Sequence, residues 1–165
     1  VLEAQMEALG ATPIPLAFSD VHTALETGLV DGTENPPSNL YSKKMHEVQK
    51  YVAVTNHGYL GYAVIVNRKF WNSLPADIRI TLERCMIDAT RKNDDEAEKL
   101  NAQALLKVKA SKNTQVLMLN NSELEAWRKA LEPVHRRMES RISKELISSI
   151  RKAAAVQAAT AVVPQ

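Results

Sequence analysis

The most constraining stretch of this chain is one helical pattern that runs from Pro75 to about Ser111. Proline is pre-set for the first helical position, and Ile78, Leu82, Cys85, Met86 and Ala89 then recur on one face, followed by Ala97, Leu100, Ala104 and Val108. Unbroken, such a helix is roughly 55 Å long at 1.5 Å per residue, more than the diameter of a small domain. It must kink, protrude, or lie across more than one lobe, and its polar middle, residues 91–99, has the character of a strut between lobes. Cys85 falls on the apolar stripe and reads as a buried packing thiol rather than a nucleophile.

The chain has 165 residues, 45% hydrophobic and 24% charged, which suits a domain that buries a real core and excludes a disordered or collagen-like chain. Lys and Arg number 21 against 19 Asp and Glu, so a net charge of +2 gives no large positive field for nucleic acid or an anionic membrane surface. No run approaches 18 consecutive apolar residues, which argues against direct membrane insertion. A single cysteine can form neither an internal disulfide nor a structural zinc cluster, and leaves the redox compartment open. Five glycines and 5% aromatics favour a helix-rich α/β fold with few strands over a sandwich or barrel.

Leu2, Met6 and Leu9 read as a helix that stops at Gly10 and whose natural start is expected upstream of Val1. Residues 12–16 are extended around Pro13 and Pro15, and Ser19 opens a helix carrying Val21 and Leu25 that Gly28 ends. Leu29 and Val30 begin a short strand with a polar exit through Asp31, Thr33, Glu34 and Asn35 to Pro36. Residues 51–55 and 62–66 are apolar, β-branched runs expected as buried strands, with 115–119 as a third. Ser122 with Glu125 matches a capping box for a helix through Leu131 and, past Pro133, Met138; a last helix covers 142 to about 153, and 154–165 reads as a frayed tail.

The chain has no Gly-rich phosphate loop, His-Glu-x-x-His or Gly-x-Ser-x-Gly pattern, so nothing calls for an enzyme, a cofactor or a metal. Asp31 and Glu34 can be paired for acid/base work, but turn formation and helix capping explain them more simply. His22, His46 and His135 read as ordinary exposed residues, whereas His57 lies in a segment short of charge. Phe70 and Trp71 read as core, while Phe18 and Tyr59 are open between core and pocket wall.

The run from Phe18 through Gly28, Asp31, Gly32 and Glu34 to Asn35 and Pro36 resembles the central segment of the solute-binding proteins of tripartite ATP-independent periplasmic (TRAP) transporters. The runs Glu47 to Tyr51, Thr55 to Tyr62, Asn67 to Pro75 and Trp127 to Ala130 are similar to that family in the same order, over about residues 1–150. The version at Asn56 to Tyr62 is most similar to the dicarboxylate-binding branch.

The resemblance implies a periplasmic, two-lobed α/β protein of the type II solute-binding class, present here as its carboxy-terminal part, that closes on a small organic acid and delivers it to the membrane permease subunits. It implies that 1–50 and 112–153 belong to the carboxy-terminal lobe, that 51–75 supply interlobe crossing strands, and that 76–111 is a helix spanning the lobes. Asn35 is then the carboxylate-orienting asparagine, Phe18 a pocket-wall aromatic, and His57 a polar group at the cleft, while Tyr62 and Tyr59 either donate hydroxyls to the ligand or pack in the core. The family's carboxylate-clamping arginine is expected upstream of Val1, so a complete site is not expected in these residues. The rival readings are a helix-rich module that self-associates through uncovered apolar surface, and an acid/base enzyme using Asp31, Glu34 and His57.

Overall fold

A computed structural model of the chain describes residues 1–160, with side chains described through Ala154. Its elements are α1 (Leu2–Ala8), α2 (Val21–Glu26), α3 (Pro37–Ser42), a 3₁₀ turn (Met45–Glu47), β1 (Tyr51–Val54), α4 (Arg68–Ser73), α5 (Ala76–Ala110), β2 (Gln115–Met118), α6 (Asn121–Ile142) and α7 (Lys144–Thr160). They divide into two compact units, one of residues 1–15 with those from 119 onward, the other of residues 16–118.

In the larger unit, β1 and β2 pair in parallel, Tyr51 opposite Gln115 through Val54 opposite Met118, joined by a crossover that contains α4 and α5. Parallel strands need such a crossover, which is why two short strands 60-odd residues apart form one ladder. Under the ladder lies a core of Leu25, Leu40, Met45 and Val108, with Val21, Val30, Val48, Val52 and Val116 packed on it. The 3₁₀ turn is tied down by buried Thr114, whose hydroxyl donates to the carbonyls of His46 and Gln49. Gly28 ends α2 at φ 71°, a conformation costly for a residue with a Cβ, and lets Leu29 N–H reach the Ala24 carbonyl at 2.9 Å.

α5 is continuous over 35 residues, about 52 Å at 1.5 Å per residue. Only its carboxyl-terminal part is covered: Ala104 and Val108 are buried, whereas Ile78, Ile80, Leu82, Met86 and Ile87 are exposed. Cys85 is exposed as well, against the expectation of a packing thiol, on the amino-terminal stretch of α5 whose apolar residues are left open. The same uncovered region corrects two further expectations. Residues 62–66 form no strand, having no ladder partner, and Phe70, in α4, is 56% exposed with Trp71 half-buried beside it. Residues 29–30 and 12–16 likewise lie in irregular backbone.

The smaller unit packs α1 and α7 on α6, around Ala4, Leu131, Val134 and Met138 with Leu9, Trp127 and Ile147 against them. α6 starts at Asn120, not Ser122: Asn120 accepts from Glu123 N–H at 3.0 Å while Glu123 Oε2 accepts from Asn120 N–H at 2.7 Å. This is a capping box displaced by two residues from the expected one, with Ser122 Oγ donating to Asn120 Oδ1. α6 carries Pro133 inside it without ending there. Arg151 on α7 donates to Glu132 Oε2 at 2.7 Å and to His135 Nδ1 at 2.5 Å on α6. The Arg151 hydrogen bond, with the nearby positive charges, holds the Glu132 carboxyl below its ordinary range. α7 runs on to Thr160 where a tail was expected from 154, because alanine is the best helix former and 153–155 and 158–159 are alanines; residues 161–165 of that tail lie outside the described residues.

Candidate functional site

All five residues singled out for ligand contact, Phe18, Asn35, His57, Tyr59 and Tyr62, belong to the larger unit. Asn35 stands before Pro36 and Pro37, which push the preceding backbone into extended geometry and place proline in the first turn of α3. Its half-buried amide is held on three sides. Asn35 Nδ2 donates to Thr33 Oγ1 at 3.0 Å and to Met45 Sδ at 3.8 Å, and Asn35 Oδ1 accepts from Asn39 Nδ2 at 3.3 Å. Met45 is fully buried in the core, so this contact anchors the loop to the interior.

Phe18 precedes α2, 42% exposed, with Lys43 Nζ 5.4 Å from its ring centroid. The aromatic face therefore has a cation beside it, a combination suited to an organic acid's apolar chain and charge. α2 and α3 seat Leu25 and Leu40 in one core cluster, so the segments bearing Phe18 and Asn35 share a rigid base.

His57 lies just past the carboxyl end of β1, the end at which open α/β folds hold ligands. Asn56 turns the chain there at φ 47°, left-handed geometry that asparagine tolerates better than most residues, and Thr55 Oγ1 and His57 Nδ1 are 2.5 Å apart. This contact fixes the ring plane. Tyr59 and Tyr62 are 92% and 89% exposed, so neither packs into the core of this unit, and the Tyr59 ring lies so close to Gly61 that a Cβ there would stand 3.0 Å from it.

His46, expected on the surface, is buried: its Nδ1 lies 3.3 Å from the Leu40 carbonyl and its ring stacks on Tyr41, with Lys107 over the other ring. It is part of the scaffold under α3. Thr33, Asn39 and Met45 surround Asn35 and were not singled out from the sequence. Asn39 falls in the first turn of α3, from which a side chain reaches back to the residue before the cap, and Met45 could be placed only by the fold. Among the described residues no group of three or more His, Cys, Asp and Glu side chains is arranged to hold a metal ion, and no helix is long and apolar enough to cross a membrane.

The chain matches the family model for bacterial extracellular solute-binding proteins, family 7, over residues 1–141. It is 51% identical over 155 residues to the C4-dicarboxylate-binding periplasmic protein DctP of Rhodobacter capsulatus, covering 94% of this chain and 46% of that protein. Among solved structures, a TRAP periplasmic solute-binding protein of Sulfurospirillum deleyianum with bound succinate matches with a TM-score of 0.77 at 40% identity, over 91% of this chain and 50% of that one. Its counterpart from Pseudomonas aeruginosa, with bound L-malate, matches with a TM-score of 0.78 at 38% identity, over 82% and 47%.

The fold described above is therefore similar to that of these solved structures over most of this chain. The chain belongs to family 7 of the bacterial extracellular solute-binding proteins, a binding family rather than an enzyme family. It spans about half the length of the relatives it matches.

Proposed function

We propose that this chain supplies part of the ligand site of an extracytoplasmic TRAP solute-binding protein that captures a C4-dicarboxylate such as succinate, malate or fumarate and passes it to the membrane permease subunits. The observation that carries this reading is the 51% identity, along nearly the whole chain, to a protein named for binding C4-dicarboxylates. The site residues fit that chemistry. Asn35 offers an amide donor to a carboxylate oxygen, Phe18 gives the carbon chain an apolar wall, and His57, Tyr62 and Tyr59 bring polar groups for the far end of the ligand. Binding moves no covalent bond, so the mechanism is recognition: the ligand's carboxylates exchange water for fixed donors and stabilise the state in which those donors converge.

A thermal-shift titration of this chain completed to the length of its relatives, against succinate, malate, fumarate, a sugar acid and a neutral sugar, tests the reading. Ligand at 100 times its dissociation constant stabilises a native protein by about 2.7 kcal/mol, several degrees. A shift confined to the dicarboxylates is the expected result. A shift with the sugar acid alone would replace the ligand class, and no shift with any of the panel would overturn the reading.

The second reading concerns the 165-residue chain by itself. Val64, Val66, Trp71, Leu82, Met86 and Ile87 line an apolar groove of about 550 Å³ on the larger unit. Such a surface favours self-association of the isolated chain.

A further inference from the structure

A primary amide has two ends of nearly the same shape and opposite function. Only its nitrogen attracts a carboxylate oxygen; turned over, the same side chain sets oxygen against oxygen. An asparagine that recognises carboxylate must therefore be held one way round, and the contacts of Asn35 show how. Met45 Sδ, 3.8 Å from Asn35 Nδ2, is an acceptor without a proton, so it is compatible with nitrogen at that end. At the other end Asn39 Nδ2 donates to Asn35 Oδ1 at 3.3 Å. Asn39 is the third residue of α3, and its side chain reaches back past Pro36 to Asn35, which lies just outside the helix start. One N–H of Asn35 is spent inward on a buried sulfur. The other goes to Thr33 Oγ1 at 3.0 Å, a hydroxyl on an exposed residue.

We propose that Asn39 is a positioning residue for carboxylate recognition: it locks the Asn35 amide with one N–H directed outward, and Thr33 Oγ1 holds the place that a ligand carboxylate oxygen takes. The exchange is favourable in direction because an ionised oxygen is a stronger acceptor than a hydroxyl. This inference rests on the reading of Asn35 as the carboxylate donor given above.

The test is a double-mutant cycle on succinate affinity, by calorimetry, in this chain completed to the length of its relatives. It uses Asn35→Ala, Asn39→Leu and the two combined. Asn39→Leu keeps the branched heavy-atom skeleton and removes the donor, and is expected to weaken succinate binding about 5-fold in the Asn35 background. In the Asn35→Ala background it is expected to have no further effect, since its influence runs through Asn35. Asn39→Asp, close to isosteric and unable to donate when ionised, is the second variant and should weaken binding at least as much.

A structural readout accompanies the cycle: nuclear Overhauser contacts between the Asn35 amide protons and the Met45 methyl are expected in the parent chain, from the 3.8 Å approach of Nδ2 to Met45 Sδ, and should be lost or averaged in Asn39→Leu and Asn39→Asp. Equal losses from Asn39→Leu with and without Asn35 would overturn the proposal, as would contacts that persist in both Asn39 variants. If Asn35→Ala itself leaves succinate affinity unchanged, the reading of Asn35 as ligand donor fails, and the positioning role with it. If Asn35→Ala weakens binding and Asn39→Leu does not, the positioning role alone fails.

Discussion

Thr114 ties the start of β2 to the segment that leads into β1 through one hydroxyl. The residue is 6% exposed, and its Oγ1 donates to the carbonyls of His46 and Gln49, the latter at 3.0 Å, while Gln115 N–H donates to the Lys50 carbonyl beside them. Thr114→Val preserves the shape and leaves two carbonyls without that donor. The expected loss is about 1–3 kcal/mol of stability, seen as a lower urea midpoint at unchanged slope, with Thr114→Ser close to the parent. A midpoint equal to the parent's for Thr114→Val would mean that water serves the carbonyls as well. Nothing in the sequence marks Thr114, because its role depends on residues 46–50 lying next to it in space. Gly10 and Gly28 were legible for the opposite reason: a helix stop is a local event, and both sit at positive φ where the pattern placed them. His46 was misread on the same ground as Thr114 was missed, since its burial comes from the packing of α3 and not from its neighbours in sequence.

Elements with a strong internal period and a local start signal were legible, and those that need a partner were not. α5 follows directly from Pro75 and the recurring apolar face, and it is observed from Ala76 to Ala110. β1 and β2 were both found, because each brings β-branched residues to a ladder it shares with the other. Residues 62–66 carry the same β-branched signal and form no strand, since that propensity is realised only against a neighbouring strand. The site divides in the same way. Asn35, Phe18 and His57 could be proposed from local motifs and resemblance, whereas the surroundings of Asn35 required the fold. The start of α6 was displaced because two overlapping capping patterns exist, and Asn120 with Glu123 engages both donors. Asn120→Ala should therefore cost about 1 kcal/mol, with Asn120→Asp or Asn120→Ser retaining most of the stability. Thermal unfolding followed by circular dichroism checks this, and an unchanged midpoint for Asn120→Ala would show that the Ser122 pattern can take over the cap.

At the scale of the whole molecule the dominant fact is uncovered apolar surface. Tyr62, Val64 and Ile65 are 89%, 79% and 90% exposed, so successive side chains on both sides of this extended segment face solvent. An apolar run exposed on both sides is the pattern of a strand made for the interior of a covered sheet. Trp71, Leu82, Met86 and Ile87 add a groove beside it, and the relatives are about twice as long as this chain. Water in contact with so much aliphatic surface is costly, at roughly 25 cal/mol per Å², and the isolated chain has one reagent always at hand to displace it, a second copy of itself. Sedimentation or light scattering over a concentration series should then give a mass that rises with concentration. Val64→Lys with Ile65→Lys should return it to that of one chain. Both side chains are exposed, so the double substitution should leave the thermal midpoint within about 2 °C of the parent, surface changes of this kind costing about 0.5 kcal/mol or less. A mass that stays at one chain throughout would show that residues 59–87 cover their own apolar groups in solution. Self-association that survives the two lysines would place the contact elsewhere on the molecule.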